Sequence, residues 1–311
     1  MEEKVGKEFL KNFIKKNIEK FGFDKVGFSK CERIDSEFAL KFVSSVENPN
    51  YNVLSYLKKN LEIRLNPKFL FPEGKTIISF ATNYYRKLPE NLIFSKYLTE
   101  IDYHIVLRKR MEDFIEFLKN EIGDFNYKIC VDTSPILEKY WAYKSGIGWI
   151  GKNSLLVTKE FGSFVFLSEI IVDFEIEEDK ICENLCFECN NCIENCPTKA
   201  IEKERKIDIR KCISYLTIEK RKKLTKNEKE MLKKGKYVFG CDICQDVCPY
   251  NKNIKEKDDK EITFPSTLIE KDNTFYLTID ENEYKKIFGN TALSRVPYNV
   301  FVDNLRVYLN K

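Results

Sequence analysis

Nothing in this chain restricts its fold more than the run Cys186-Phe187-Glu188-Cys189-Asn190-Asn191-Cys192-Ile193-Glu194-Asn195-Cys196-Pro197. Three cysteines spaced two residues apart can wrap one corner of an iron-sulfur cubane, while the fourth, three residues on and followed by proline, points toward a second cluster. A partner segment is therefore required. Cys241-Asp242-Ile243-Cys244-Gln245-Asp246-Val247-Cys248-Pro249 repeats the closing Cys-x3-Cys-Pro and an internal Cys-x2-Cys but is one cysteine short. Cys212 can make up the deficit, so that eight thiolates serve two 4Fe-4S clusters. Zinc, the main competitor for clustered cysteines, favours paired Cys-x2-Cys units over a triple run closed by Cys-Pro.

With 311 residues the chain has room for two domains, or one large domain and a smaller module. Its eleven cysteines do not read as a disulfide scaffold, because such scaffolds are mainly short and secreted and eight of the eleven fall at ligand spacings. Cys31, Cys130 and Cys182 are expected to be ordinary thiols. The chain starts Met1-Glu2-Glu3-Lys4, acidic where a secretory signal carries base, and no apolar run approaches membrane-spanning length, so a cytoplasmic, reducing location is expected. A net charge of +4 does not announce a nucleic-acid binder. Between Lys199 and Lys236, however, fifteen Lys or Arg face six Asp or Glu, which reads either as a solvated helical face or as a phosphate-contacting surface beside the clusters.

Along the chain, Val5, Phe9, Phe13 and Ile14 give helical spacing over residues 3 to 21, ending at Phe21-Gly22-Phe23. Asp24 to Ser29 reads as a strand, Tyr51 to Leu61 as a helix and Thr76 to Thr82 as a buried strand. Thr99 to Asn120 is helical and carries the only histidine, His104, which fails as an Asp-x-His-x-x-Gly cobalt ligand because Leu107 stands at the glycine position. A strand from Tyr127 to Val131 leads into Asp132-Thr133-Ser134-Pro135, with Ser134 suited to an N-cap and Pro135 to a first helical position. Asp132 is then left at the carboxyl end of a strand, where burial would raise its pKa toward that of a general acid. An Asx-turn aspartate is the plain alternative.

Gly146-Ile147-Gly148-Trp149-Ile150-Gly151-Lys152-Asn153 mimics two nucleotide motifs. Its helix-before-strand order reverses the dinucleotide fingerprint, and Asn153 occupies the P-loop Ser/Thr position. It remains a glycine-rich loop ahead of a strand from Gly162 to Val172. The acidic stretch Glu175 to Lys180 marks a domain boundary, Asn251 to Lys260 a polar connector, and Val300 to Leu309 a last helix. The expected division is 1–178 for a cofactor and substrate domain, 179–255 for a ferredoxin-like module, and 256–311 for a helical segment packing on the core. A two-cluster wire preceded by so large a domain implies an electron acceptor held there.

In order, Asp102-Tyr103-His104, Val131-Asp132-Thr133, Gly146 through Asn153 with Leu155-Leu156, Cys186 through Ile201, Lys211-Cys212-Ile213-Ser214-Tyr215-Leu216-Thr217-Ile218-Glu219, and Gly240 through Asn251 resemble the epoxyqueuosine reductase family. Gly289-Asn290-Thr291-Ala292-Leu293-Ser294-Arg295 is similar to that family's tail. The resemblance is to the short form, without the HEAT-like repeats of some members. It implies an α+β fold, with a nitroreductase-like cobalamin-binding domain before a ferredoxin-like module holding two 4Fe-4S clusters. The implied reaction removes the epoxide oxygen of epoxyqueuosine at the tRNA wobble position, with Asp132 as proton donor. By the same resemblance Cys186, Cys189, Cys192 and Cys248 hold cluster 1, and Cys196, Cys212, Cys241 and Cys244 hold cluster 2. Arg64, Asp132, Asn153, Leu156, Ser214, Tyr215 and Asp242 are the implied cobalamin contacts. Implied partners are tRNA carrying epoxyqueuosine and a low-potential donor of flavodoxin or ferredoxin type, with no membrane and a monomeric chain. The rival readings are a reductive dehalogenase-like cobalamin enzyme and a non-catalytic ferredoxin-type carrier.

Overall fold

The computed structural model describes residues 6–310, so the expected helical residue Val5 and the acidic opening Met1 to Lys4 lie outside the described residues. Two apolar runs form the centre: Thr76–Asn83 (β2), buried throughout, and Val165–Val172 (β6). With Lys25–Lys30 (β1) and Tyr127–Cys130 (β3) they make an antiparallel sheet in the order β1-β2-β6-β3. All four strands lie within a few residues of the sequence expectation.

Strand side chains alternate between faces, so each strand feeds two layers. Phe28, Ile78, Phe80, Ile170 and Val172 face a core closed by helix α1 (Lys7–Asn17) through Leu10 and Ile14 and by a long helix through Met111, Phe114 and Leu118. Ile77, Ile171 and Cys130 face the opposite layer, which contains α2 (Ser36–Glu47). The helix expected over Tyr51 to Leu61 is instead a run of 3-10 turns over Pro49–Leu57, kinked at Leu54, followed by the short α3 (Leu61–Leu65). The long helix of the first layer is α4 (Tyr103–Ile122), capped by Asp102.

Ser134 and Pro135 do not start a helix. Tight turns carry the chain from Val131 to Ile136, and α5 (Glu138–Lys144) begins behind Leu137. Tyr140 and Trp141 then fill the second layer, and the helix end rests directly on β1. A β-carbon on Gly27 would lie 1.9 Å from the Ser145 carbonyl oxygen, so only glycine permits that approach. The glycine-rich loop folds into a small hairpin of Trp149–Ile150 (β4) and Leu156–Val157 (β5).

The cysteine-bearing module contains two short helices, α6 (Asn191–Glu194) and α8 (Ile243–Asp246). Between them lie the hairpin Ile201–Lys203 (β7) and Lys206–Ile207 (β8), a π-helical turn at Tyr215–Glu219, and α7 (Lys226–Lys233). Asn251 fastens the module to the sheet: its Oδ1 accepts from the Ser163 N–H at 2.8 Å and its Nδ2 donates to Ser163 Oγ at 2.9 Å. Gly162, at φ +53°, leaves room for that carboxamide, since a β-carbon there would come within 1.7 Å of Asn251 Oδ1.

After α9 (Ser266–Ile269), helices α10 (Glu281–Phe288) and α11 (Tyr298–Tyr308) build a separate core. Tyr276, Phe288 and Phe301 surround Phe94 from the segment after β2 and Phe239 from the cysteine module. Val238 N–H donates to the Ile93 carbonyl at 2.8 Å and Ser95 N–H to the Phe239 carbonyl at 2.9 Å. The C-terminal segment thus clamps the domain before the clusters to the module that carries them. No helix among the described residues is long and apolar enough to cross a membrane.

Candidate active site and cluster cradle

The eight motif cysteines gather in two sets. Burial, followed by the charges of Cys186, Cys248 and Cys189, raises the Cys192 thiol to about 11. Beyond burial, Cys196 raises Cys212, and both raise Cys241, while Cys196 itself, despite its burial, is held down by hydrogen bonds; Cys244 feels both its own set and Cys192, so the sets adjoin there. Cys248 thus neighbours the first set, and Cys196 the second. No three His, Cys, Asp or Glu side chains among the described residues are gathered for a single metal ion, whereas cubane thiolates stand at the corners of a cluster several iron atoms wide. Cys196 also accepts a hydrogen bond from the Ala200 N–H at 3.2 Å, the kind of amide–sulfur contact that tunes a cluster.

A second constellation forms where β3 meets the start of α4. Asp102 caps the helix by accepting from the His104 N–H at 3.1 Å, and its Oδ1 lies 2.7 Å from His104 Nδ1. His104 Nε2 lies 2.9 Å from Asp132 Oδ2, and Arg295 Nη2 donates to Asp102 Oδ2 at 2.6 Å. Each ring nitrogen faces a carboxylate, so an imidazolium donating to both satisfies the set. Arg295 also approaches the ring at 2.9 Å and 3.2 Å, but a doubly protonated imidazole has no lone pair to accept those donors. They are contacts between two cations held together by Asp102. With Asp102 and Asp132 ionised, the four formal charges cancel.

The electrostatics correct one expectation. Burial acts to raise the Asp132 carboxyl, but hydrogen bonding and charge from His104, helped by Arg295, outweigh it and hold the group below its ordinary value. The His104 imidazole is displaced the other way: burial lowers it, and the two carboxylates more than restore it to above its ordinary value. Of the two groups, His104 is the one that holds the shared proton. Asp132 keeps a side chain 52% exposed at the protein surface. Its backbone sits at φ +47°, a left-handed conformation that costs a non-glycine residue energy, and its N–H donates to the Glu138 carboxylate. The carboxylate is turned toward His104.

Charge couplings link this constellation to the second cysteine set. The Tyr103 ring stacks on Phe166 at 4.1 Å and lies 4.0 Å from the His104 ring. Tyr97 feels Tyr103, Asp242 and Glu219, while Tyr56 feels Glu219, Asp132 and Arg64. The π-helical turn that carries Tyr215 and Glu219 therefore stands across from Asp132; such turns recur at functional sites. Arg64 Nε reaches the Lys59 carbonyl at 3.4 Å. Asn153 is 5% exposed, and its Nδ2 donates to the Cys244 carbonyl at 3.5 Å, tying the glycine-rich loop to the second set.

Two more of the implied contacts, like Asn153, have side chains engaged inside the protein. Leu156 packs against Ala81, Ala142 and Ile147. Asp242, 1% exposed, accepts from Ser95 Oγ and from the Lys96 N–H, holding the segment that follows β2. Sequence reasoning missed Tyr56, Glu138, Glu169 and the role of Arg295, which it read only as part of a tail motif. The basic stretch remains open on one side. Arg221, Lys222, Lys223, Lys226, Lys229 and Lys234 are exposed and make no ion pair among the described residues, whereas Arg210, Lys211 and Lys220 are held by Asp208 or Glu228.

Comparison with known proteins agrees with this arrangement. Residues 64–133 match the family described as "Epoxyqueuosine reductase QueG, DUF1730", and residues 185–251 match a "4Fe-4S double cluster binding domain", so the chain carries two 4Fe-4S clusters. It is 36% identical over 304 residues to an epoxyqueuosine reductase of Cyclobacterium marinum, covering 96% of each chain. It is 32% identical to that of Aliivibrio fischeri, covering 98% of this chain and 83% of the relative. Among solved structures, an epoxyqueuosine reductase bound to an epoxyqueuosine-modified tRNA-Tyr stem loop superposes with a TM-score of 0.88 at 29% identity, over 96% of this chain and 80% of that one. A Bacillus subtilis epoxyqueuosine reductase with its catalytic aspartate loop swung out of the active site also gives 0.88, at 28% identity, over 96% of this chain and 81% of that one. The paired cysteine sets, the carboxylate–imidazole site and these similarities lead to one conclusion: the chain belongs to the epoxyqueuosine reductase family.

Proposed function

We propose that this reductase removes the epoxide oxygen of epoxyqueuosine in tRNA, with electrons entering through two 4Fe-4S clusters and with cobalamin held between the first domain and the cysteine module. The observation that carries the reading is the convergence of Asp132, His104, Tyr56 and Glu219 on the side of the molecule that holds the second cysteine set. Cobalamin is broad and partly apolar. The segments carrying these residues expose Val53, Tyr56, Ile101 and Ile105, each 40% or more, around the ionic set. Such a rim suits a flat ligand better than it suits water. Arg64, Asn153, Ser214 and Tyr215 are the side chains that would hold it, with Leu156 and Asp242 offering backbone. When bound, the cobalamin supplies a low-potential metal centre able to deliver two electrons to carbon.

The protein's own share is proton delivery and positioning. As a C–O bond breaks, the oxygen develops negative charge and must be protonated to leave. Asp132 faces that oxygen, and the proton comes from His104 through the 2.9 Å contact. Asp102 and Arg295 fix the ring so that only one nitrogen is aimed at Asp132. Cluster 1 is held by Cys186, Cys189, Cys192 and Cys248, cluster 2 by Cys196, Cys212, Cys241 and Cys244. Exposed Phe187 and Glu188 beside cluster 1 make it the point of electron entry for a flavodoxin- or ferredoxin-type donor. The exposed bases from Arg221 to Lys234 face the tRNA backbone, and the protein works as a cytoplasmic monomer. Residues 1–178, 179–255 and 256–311 serve as the cofactor domain, the electron module and the clamp.

The test is nucleoside mass spectrometry after the reconstituted protein, cobalamin and a low-potential reductant are incubated with epoxyqueuosine-containing tRNA. Conversion to queuosine is expected; none, with both clusters reduced, sinks the proposal. Replacing Arg221, Lys222 and Lys223 by alanine should weaken tRNA binding and flatten its salt dependence by about 0.7–0.9 logarithmic units of slope per lost phosphate contact.

A further inference from the structure

One buried acid has no part in the chemistry described so far. Glu169 lies in the middle of β6, opposite Ser79 of β2 and Cys130 of β3, and is 0% exposed. Neither of its carboxyl oxygens has a hydrogen-bond partner, and the Trp141 indole N–H of the covering helix α5 lacks one too. A bare carboxylate there would be prohibitively desolvated, so the group is a neutral acid. Two residues beyond Cys130 the strand ends at Asp132, whose backbone N–H is held by the Glu138 carboxylate at the first position of α5. Glu169 pairs with Cys130, two residues before Asp132, and feels the charge of Glu138, so three carboxyls lie between the sheet centre and the site.

We propose that Glu169 and Glu138 form a proton reserve that reloads Asp132 during turnover, with a water under α5 bridging the buried and the half-buried acid. The inference rests on the reductase reading above. Epoxide removal takes one epoxide, two electrons and two protons to an alkene and water: both C–O bonds break, carbon is reduced, and the oxygen leaves with both protons. The Asp132–His104 pair holds one shared proton, so a second must arrive within each cycle. Bulk water can bring it only while the mouth of the site is open, whereas the reserve lies behind the site and stays connected when substrate covers Asp132. A buried water typically bridges about three otherwise unsatisfied polar groups, which the Glu169 oxygens and the Trp141 N–H supply.

The groups facing the reserve are few. Asp132, His104 and Lys139 act on Glu138; Tyr103 and Cys130 border the same space. Burial and then the Asp132 charge push Glu138 up to about 8, and burial and then Glu138 hold Glu169 well above its ordinary value, so both keep their protons at neutral pH until the departing oxygen, far more basic than either, draws one out through Asp132. Both are positioning and supply residues, not groups that touch substrate.

Two measurements test the reserve. Infrared difference spectra of the reconstituted holoprotein without substrate should show a protonated-carboxyl band at pH 7 that disappears in Glu169→Gln. In steady-state turnover, Glu169→Gln and Glu138→Gln should each lose about tenfold at pH 7.5, where the reserve is still loaded and solvent protons are scarce, and less at pH 6, with Glu169→Asp recovering part of the rate. No Glu169-dependent band, or a loss that does not vary with pH, overturns the proposal. If Glu169→Gln fails to retain its clusters, the half-buried Glu138→Gln decides the kinetic arm. A wild type that turns over normally while both variants match it removes the reserve alone. A wild type that converts nothing removes the reductase reading and the relay together, leaving the band as a structural acid.

Discussion

Asp132 and Glu138 stand six residues apart on one turn of chain, yet the protein drives their carboxyls in opposite directions. Asp132 meets the His104 imidazole and is held acidic; Glu138 bonds a backbone amide and faces the charge of Asp132, and the charges of His104 and Lys139 do not offset its burial, so it is held basic. Burial opposes ionisation at both. The difference is a cation within hydrogen-bond reach, which decides where a carboxyl's proton resides more strongly than depth does. Such divergence between neighbouring acids separates a group that delivers a proton from one that stores it.

The sharpest way to break the comparison is to remove the acidic member. Asp132→Asn should lower turnover by about 10²–10⁴-fold while leaving cluster absorption and cobalamin uptake intact, a separation read by rapid-mixing kinetics against optical titration. Near-normal turnover would take Asp132 out of the mechanism. Next in size is His104→Gln, which removes the cation. Turnover should fall about 10–100-fold, the usual cost of losing an orienting partner, and infrared titration should find the Asp132 carboxyl moved upward. An unmoved Asp132 would mean that His104 is not what separates the two acids.

Stability against pH offers a smaller but cleaner reading. Glu138 is raised on folding from an ordinary 4.5 to about 8, so the stability it contributes is present at low pH and is lost as pH rises through about 8. His104 is also raised and loses its contribution in the same direction, whereas Asp132, being depressed, loses its own as pH falls. Glu138→Gln should therefore flatten the fall in melting temperature of the holoprotein between pH 4.5 and about 8, by about 2–4 °C for each kcal/mol of linkage removed. The least effect is expected from Arg295→Leu. Its ion pair with Asp102 is 43% exposed on the arginine side, so the loss should be about 1 kcal/mol or less by chemical denaturation, with the alkaline limb of the rate profile shifting as His104 is released.

Several of these features were legible in the residue order. The strand at Thr76 to Thr82 is read from an unbroken apolar run, and the thiolate count from cysteine spacing, because both depend on neighbours in sequence. The start of α5 was misread for a local reason. Ser134-Pro135 is a sound helix opening, but the turn that aims Asp132 at His104 delays the helix to Glu138. Glu169 sits in a run that reads Val-Phe-Leu-Ser-Glu-Ile-Ile-Val, where a single acid looks like an edge residue facing water. Pairing on both sides by β2 and β3 is what buries it.

By itself, then, the sequence determined the presence of two 4Fe-4S clusters, the α+β plan and the presence of an aspartate at a strand end, since periodicity and ligand spacing are properties of short segments. Only the tertiary structure decided what that aspartate is. Arg295, brought 193 positions along the chain to Asp102, Glu169, enclosed by strands from three parts of the chain, and the π-helical turn set across from Asp132 all depend on long-range packing. Electrostatics follows distance in space, so a proton's resting place cannot be read until the chain has closed around it.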